Sequence, residues 1–145
     1  MHVFDVIAIL CVGLMVGNEL AVSLFVNPAI WRLDDQAIAS VLAASLGRVM
    51  PFWYGVNLAL IGVEAYLRQG GAGERLLLIA AGLWVAAIVY SLAALVAINN
   101  RLAADGRGSS RKDWRVDHTR WDTFHRWRIV LLIVATACMT AGILA

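Results

Sequence analysis

Apolar residues dominate four stretches of the chain, 3–26, 51–67, 76–98 and 125–144, the last almost unbroken only from Ile129, and polar residues collect between them. A helix needs roughly 20 mostly apolar residues to cross a bilayer, so this pattern predicts four transmembrane helices. Pro51 suits the first turn of the second helix, where its missing N–H is not needed. After the first stretch, Asp34 and Asp35 followed by Ile38, Val41, Leu42, Ser45 and Val49 predict a short amphipathic helix lying at the membrane interface. Gly70-Gly71-Ala72-Gly73 predicts a tight connection between the second and third spans. Residues 103–112 read as a polar loop, which Trp114 closes by starting a helical extension that leads into the fourth span. The fold expected is an all-α membrane protein: a four-transmembrane-helix bundle with a short interfacial helix after the first span. Residues 1–145 form a single integral membrane domain in this reading.

Composition agrees with the pattern. The chain is 61% hydrophobic and only 15% charged, against about 25% charged in an ordinary soluble domain. The first stretch lacks the basic amino end and the small-residue cleavage site of a removable signal, so it is expected to remain as a span. Lys and Arg in short connections stay on the cytoplasmic side. Only Arg68 and Arg75 fall in the second connection, and all the other basic residues fall in or beside the first and third. Both termini are therefore expected outside the cytoplasm, with the extension before the fourth span inside it. Cys11 and Cys138 lie within the first and fourth spans and read as small packing groups.

The chemistry is concentrated at the entry to the fourth span. Trp114, His118, Trp121, His125 and Arg128 recur at i, i+4, i+7, i+11 and i+14 and so share one face of a continuous helix. That face is either an interfacial anchor of Trp and Arg or a functional site, the default reading for ionisable groups inside a bilayer. Depth along the other spans favours the site. With about 1.5 Å of rise per residue, Glu19, with Asn18 beside it, lies roughly 13 Å inside the boundary of the first span. Asn57 lies about 9 Å in from Pro51, and Asn99 and Asn100 close the third span at the same side. Facing side chains of a four-helix bundle build sites in its core. Glu19 at such depth calls for a partner, and Arg128 and His125 are available. The pair is either a bridge that fixes helix order or a tuned proton acceptor or metal ligand. Elsewhere, Glu64 with Arg68 and Asp122 with Arg126 read as i,i+4 helical pairs, and Asp113, Asp117 and Arg120 as a solvated surface.

In order along the chain, Gly17-Asn18-Glu19, Phe25-Val26-Asn27-Pro28, Leu33, Met50-Pro51, Ile98-Asn99-Asn100-Arg101-Leu102, Trp121, Phe124-His125 and Arg128 resemble the anthrone oxygenase-like family. Most of its members are bacterial four-span proteins without an assigned role. The resemblance runs from Val12 to the last span, and its most specific parts are the Asn-Asn pair and the Trp-x3-His-x2-Arg spacing. It implies a four-helix membrane fold in a bacterial inner membrane and, for named members, oxygenation of a reduced tricyclic phenol to a quinone with molecular oxygen. It carries over to Asn99, Asn100, Trp121, His125 and Arg128, and to Asn18 and Glu19 in the first span. His118 is added by helical geometry alone.

Such residues suit that chemistry. His125 with Glu19 would take a proton from a weakly acidic carbon, Arg128 and the Asn amides would stabilise the oxyanion, and Trp121 and Trp114 would stack on a flat ring. Asn57 and His118 are further candidate substrate contacts. The cofactor expected is none, or a single iron or copper ion, with His125, Glu19 and His118 as candidate ligands. His118 and His125 stand about 10 Å apart along one helix, too far to share one ion without a bend. The expected partners are a small hydrophobic substrate and the bilayer. Two other classes use the same features. A small transporter or channel would line its path with these groups, although no repeat between halves supports it. An assembly subunit, or a homo-oligomer, would pack through Gly13 and Gly17. Nucleotide-binding and nucleic-acid motifs are absent, and the basic third connection fits orientation and anionic lipid.

Overall fold

Apolar side chains at helical spacing decide the elements. In the computed structural model, which describes residues 2–32, 50–105 and 114–145, the described residues form four long helices and no strands. Helix α1 spans Val3–Ile30 and buries Ala8, Val12, Met15 and Glu19 along one line. Helix α2, Met50–Leu67, buries Tyr54, Asn57, Ile61 and Glu64. Helix α3 opens as Glu74–Tyr90, passes through a π turn at Ser91–Leu95 and continues as Val96–Asp105. Helix α4 is continuous over Trp114–Leu144, so the predicted extension and the fourth apolar stretch are one rod. The third helix is longer than expected, because helical backbone continues into the stretch read as a loop from Ala103. The interfacial helix expected after the first span lies outside the described residues.

Three helices, α1, the part of α3 over Glu74–Arg101 and the part of α4 over Arg115–Leu144, are long and apolar enough to cross a membrane. A third or less of the apolar window in each is buried inside the protein. The outward faces carry Leu10, Leu14, Leu24, Val89, Leu92 and Val134 instead of charges. Continuous apolar surface of that extent marks an apolar environment, and the protein is membrane-associated. The core, at Met15, Ile61, Leu77, Trp84, Leu132 and Met139, is completely shielded.

Lipid gives helices no hydrophobic reason to associate, so close packing and interhelical polar links hold such bundles together. At one end Arg68 joins three helices. Just past the end of α2, it pairs with Glu64 of that helix, with Asp5 of α1 at 3.1 Å and with the carbonyl of Ile143 on α4 at 3.3 Å. The predicted Glu64–Arg68 pair is thus present and reaches further than one helix. Beside it the chain turns from α2 to α3 through Gly70, whose φ of +78° suits glycine. Gly73 lies so close to the backbone of Gly142 that a side chain there would overlap its carbonyl.

The π turn in α1, Val22–Val26, precedes Pro28. A proline inside a helix lacks a donor and clashes with the carbonyl four residues back, and the wider turn accommodates it. It also sets register. Glu19 and Asn27, eight residues apart, would differ by about 80° on a regular helix; across the π turn Glu19, Ser23 and Asn27 are all buried. Both cysteines are free and half-buried. Gly13 and Gly17 face outward, with open space where a side chain would stand, so among the described residues they pack against no helix.

Candidate active site

A buried polar cluster forms near the π turns of α1 and α3. Glu19 of α1 is 2% exposed. Its Oε2 accepts from Nη2 of Arg128 at 2.5 Å and lies 3.4 Å from Nδ1 of His125, and its Oε1 accepts from the hydroxyl of Tyr54 at 3.1 Å. Arg128 also donates through Nη1 to Oγ of Ser91 at 3.3 Å. Ser91 in turn donates to the carbonyl of Ala87 at 2.7 Å, a back-bond that bends helices where the π turn of α3 begins. All four helices contribute to the cluster.

His125 is held at both nitrogens. Nε2 lies 3.2 Å from the carbonyl oxygen of Glu19; a carbonyl only accepts, so Nε2 carries a proton. The lone pair of the neutral ring is then on Nδ1, 2.8 Å from Nη2 of Arg128. A proton arriving at Nδ1 would meet the carboxylate of Glu19. Removing charges from water is costly unless they are paired. Here one carboxylate faces one guanidinium, which sits 5.6 Å over the ring of Tyr54.

The indole of Trp121 stacks on His125 with ring centroids 4.6 Å apart and 15° between planes. On its other side, one turn earlier, His118 lies 6.2 Å away at 28°. Trp31, just past the end of α1, meets His118 edge-on at 4.9 Å. The helical spacing therefore brings His118, Trp121, His125 and Arg128 together as expected, and Glu19 joins them. The side chain of Trp114 lies outside the described residues. Asn57 is fully buried one turn from Tyr54 and donates to Sδ of Met15 at 2.8 Å, beside the cluster and not in it. Asn18 is half-buried and turned off the line that carries Glu19. Asn99 and Asn100 are exposed, because the register of α3 that buries Leu95 and Ile98 turns the next two residues outward. The described structure does not bring these three amides to Glu19.

Two further links hold the rods in register. Asn27 donates to Oδ1 of Asp122 at 2.6 Å, and Asp122 pairs with Arg126 at 2.8 Å as expected. Asp117 corrects the sequence reading of a solvated surface: it is buried and accepts from Arg101 of α3 at 2.9 and 3.1 Å. The helix face that carries it is turned toward α3, which no local pattern discloses; Asp113 lies outside the described residues. Sequence reasoning missed Tyr54 and Ser91. Tyr54 falls on the Asn57 face one turn away, and Ser91 stands alone among apolar residues, so spacing could have found both.

Among the described residues no three His, Cys, Asp or Glu side chains are grouped to hold a metal ion. Both nitrogens of His125 are engaged, and the Trp121 ring separates it from His118, so this donor set does not fit a single ion. The concave surface of α4, at Val116, Thr119, Arg120, Thr123 and Phe124, lies on the face opposite His118 and His125 and contains none of the cluster.

The family model described as anthrone oxygenase matches residues 36–138, more than half of the chain. The match includes Tyr54, Ser91, Trp121, His125 and Arg128; Glu19 lies before it and is joined to it by the ion pair. No curated protein and no solved structure matches the chain.

Proposed function

Because the chain belongs to the anthrone oxygenase family, we propose that it oxygenates a small hydrophobic anthrone-like or phenolic substrate with molecular oxygen inside the membrane. The observation that carries this reading is the contact of Glu19 with Arg128, His125 and Tyr54 in one buried cluster. A carboxylate and an imidazole lone pair form a base, and a guanidinium and a phenol supply donors for developing negative charge.

The reaction balances without a further reductant. The base removes a proton from the substrate methylene, and the electron pair of the C–H bond enters the ring system as an enolate. That carbon bonds to one oxygen atom of O2, and the peroxide formed takes up the proton. Loss of the second methylene proton breaks the O–O bond, leaving a carbonyl on carbon and releasing water. His125 and Glu19 hold the moving proton between Nδ1 and Oε2, and Arg128 stabilises the enolate oxygen. Low dielectric around the cluster strengthens each of these interactions.

In the same reading α2 is a fourth span, both termini lie outside the cytoplasm of a bacterial inner membrane, and the start of α4 lies within it. Support comes from the packing of α2 against α1 and α3 and from the basic residues near the α1 and α3 ends.

The test is oxygen uptake by the detergent-purified protein given an anthrone. Uptake of one O2 per quinone formed, abolished in His125→Ala and Glu19→Gln, is expected. Full uptake by a folded His125→Ala protein would remove the assigned base.

A further inference from the structure

Two buried N–H groups at the cluster have no acceptor among the described residues: Nε1 of Trp121 and Nε of Arg128. Native proteins leave few such groups, because each carries the desolvation penalty of a donor without a bond. Both side chains stand on one face of α4, with His125 between them. The His125 ring stacks on the indole, and its Nδ1 meets Nη2 of the guanidinium.

The remaining contacts show which edges are left. Arg128 commits Nη1 to Ser91 and Nη2 to Glu19 and His125, so its Nε edge is the uncommitted one. Trp121 has an imidazole a turn before it and another a turn after it. A flat ligand cannot stack on either face without moving a histidine. What the indole has left to offer is its N–H edge.

We propose that Nε1 of Trp121 and Nε of Arg128 are the recognition donors of this site, and that they bind the carbonyl or phenolate oxygens of a flat aromatic ketone. The aromatic skeleton rests on the oxygenase reading; the demand for acceptor oxygens does not. Trp121 then selects by its edge and not by its face. A site built to donate hydrogen bonds discriminates strongly against an analogue that lacks the acceptor, so oxygen-bearing ligands are taken from the bilayer and plain aromatic hydrocarbons are not.

The test uses the full chain in detergent with two probes, 9,10-anthraquinone and anthracene, which share a skeleton and differ in the two oxygens. The native protein is expected to bind anthraquinone at least tenfold more tightly than anthracene. Trp121→Phe, which keeps a ring against His125 and removes the N–H, is expected to lose about tenfold for anthraquinone and nothing for anthracene. Equal affinity of native protein and variant for anthraquinone, or no preference in the native protein, overturns the proposal. A second readout needs no variant. In 15N-labelled native protein, one indole N–H signal is expected to move downfield with anthraquinone and not with anthracene, and no movement overturns the proposal. Oxygen uptake is scored separately. Probe selectivity without uptake leaves this inference standing and removes the oxygenase reading, and uptake without selectivity does the reverse.

Discussion

Glu19 and Arg128 stand 109 residues apart in sequence and 2.5 Å apart in the folded protein, the carboxylate of the first helix on the guanidinium of the last. Neither group is tolerable alone. Removing one partner of a buried pair leaves an uncompensated charge and costs about 3–5 kcal/mol. Arg128→Gln should therefore lower the unfolding temperature in detergent sharply, and Glu19→Gln should do the same. The double substitution, with two amides in place of two charges, should recover more than half of either loss while remaining inactive in oxygen uptake. Additive losses would show that the two groups do not depend on each other.

Tyr54 gives a milder and more selective test. Tyr54→Phe keeps the ring under Arg128 and deletes only the hydrogen bond to Glu19. The expected stability loss is about 1 kcal/mol, while the rate of oxygen uptake falls about tenfold, or about 1.4 kcal/mol in barrier. A thermal melt read beside the oxygen electrode separates these. A loss of stability with full turnover would make Tyr54 a strut only.

Much of this site was legible because helices repeat. The spacing of His118, Trp121, His125 and Arg128 placed them on one face, and depth along the first span placed Glu19 opposite them. The described structure keeps all of that. What failed were inferences about rotation. Asn99 and Asn100 share the depth of the cluster but not its direction, since depth is read by counting residues while direction needs the neighbouring helix. Asp117 was misread for the same reason: a charged residue in a polar stretch looks solvated until Arg101 is seen against it. The π turn before Pro28 is a third case. Proline announces a disturbance in the helix, but the realignment of Asn27 with Asp122 follows from how the backbone absorbs it.

That realignment can be measured. Asn27→Ala removes the donor to Asp122 and leaves a half-buried carboxylate with Arg126 alone, for an expected loss of about 1–3 kcal/mol. Asp122→Ala should cost a similar amount. In a double-mutant cycle read by thermal unfolding, the two should couple by about 0.5–3 kcal/mol. No coupling would mean that the contact does not hold α1 on α4.

At the end of the bundle remote from the cluster, two helix ends meet backbone to backbone. Gly73 begins α3 against the backbone of Gly142 on α4, so an added Cβ would meet a carbonyl oxygen. A backbone atom cannot swing aside as the tip of a side chain can, and relief requires the two helix ends to separate. Separation also loosens the neighbouring contact of Arg68 with the carbonyl of Ile143. Gly73→Ala should therefore lower stability by about 1–3 kcal/mol, in the range of overpacking. Gly70 is the control: a methyl group there would meet open space among the described residues, and Gly70→Ala meets only the strain of positive φ, about 1–2 kcal/mol. Unfolding curves of the two variants should thus differ in one further respect. Arg68→Lys, which weakens the contact to Ile143, should add its full effect to that of Gly70→Ala and less than its full effect to that of Gly73→Ala. Full additivity in both pairs would show that the helix ends do not move apart when the glycine contact is filled.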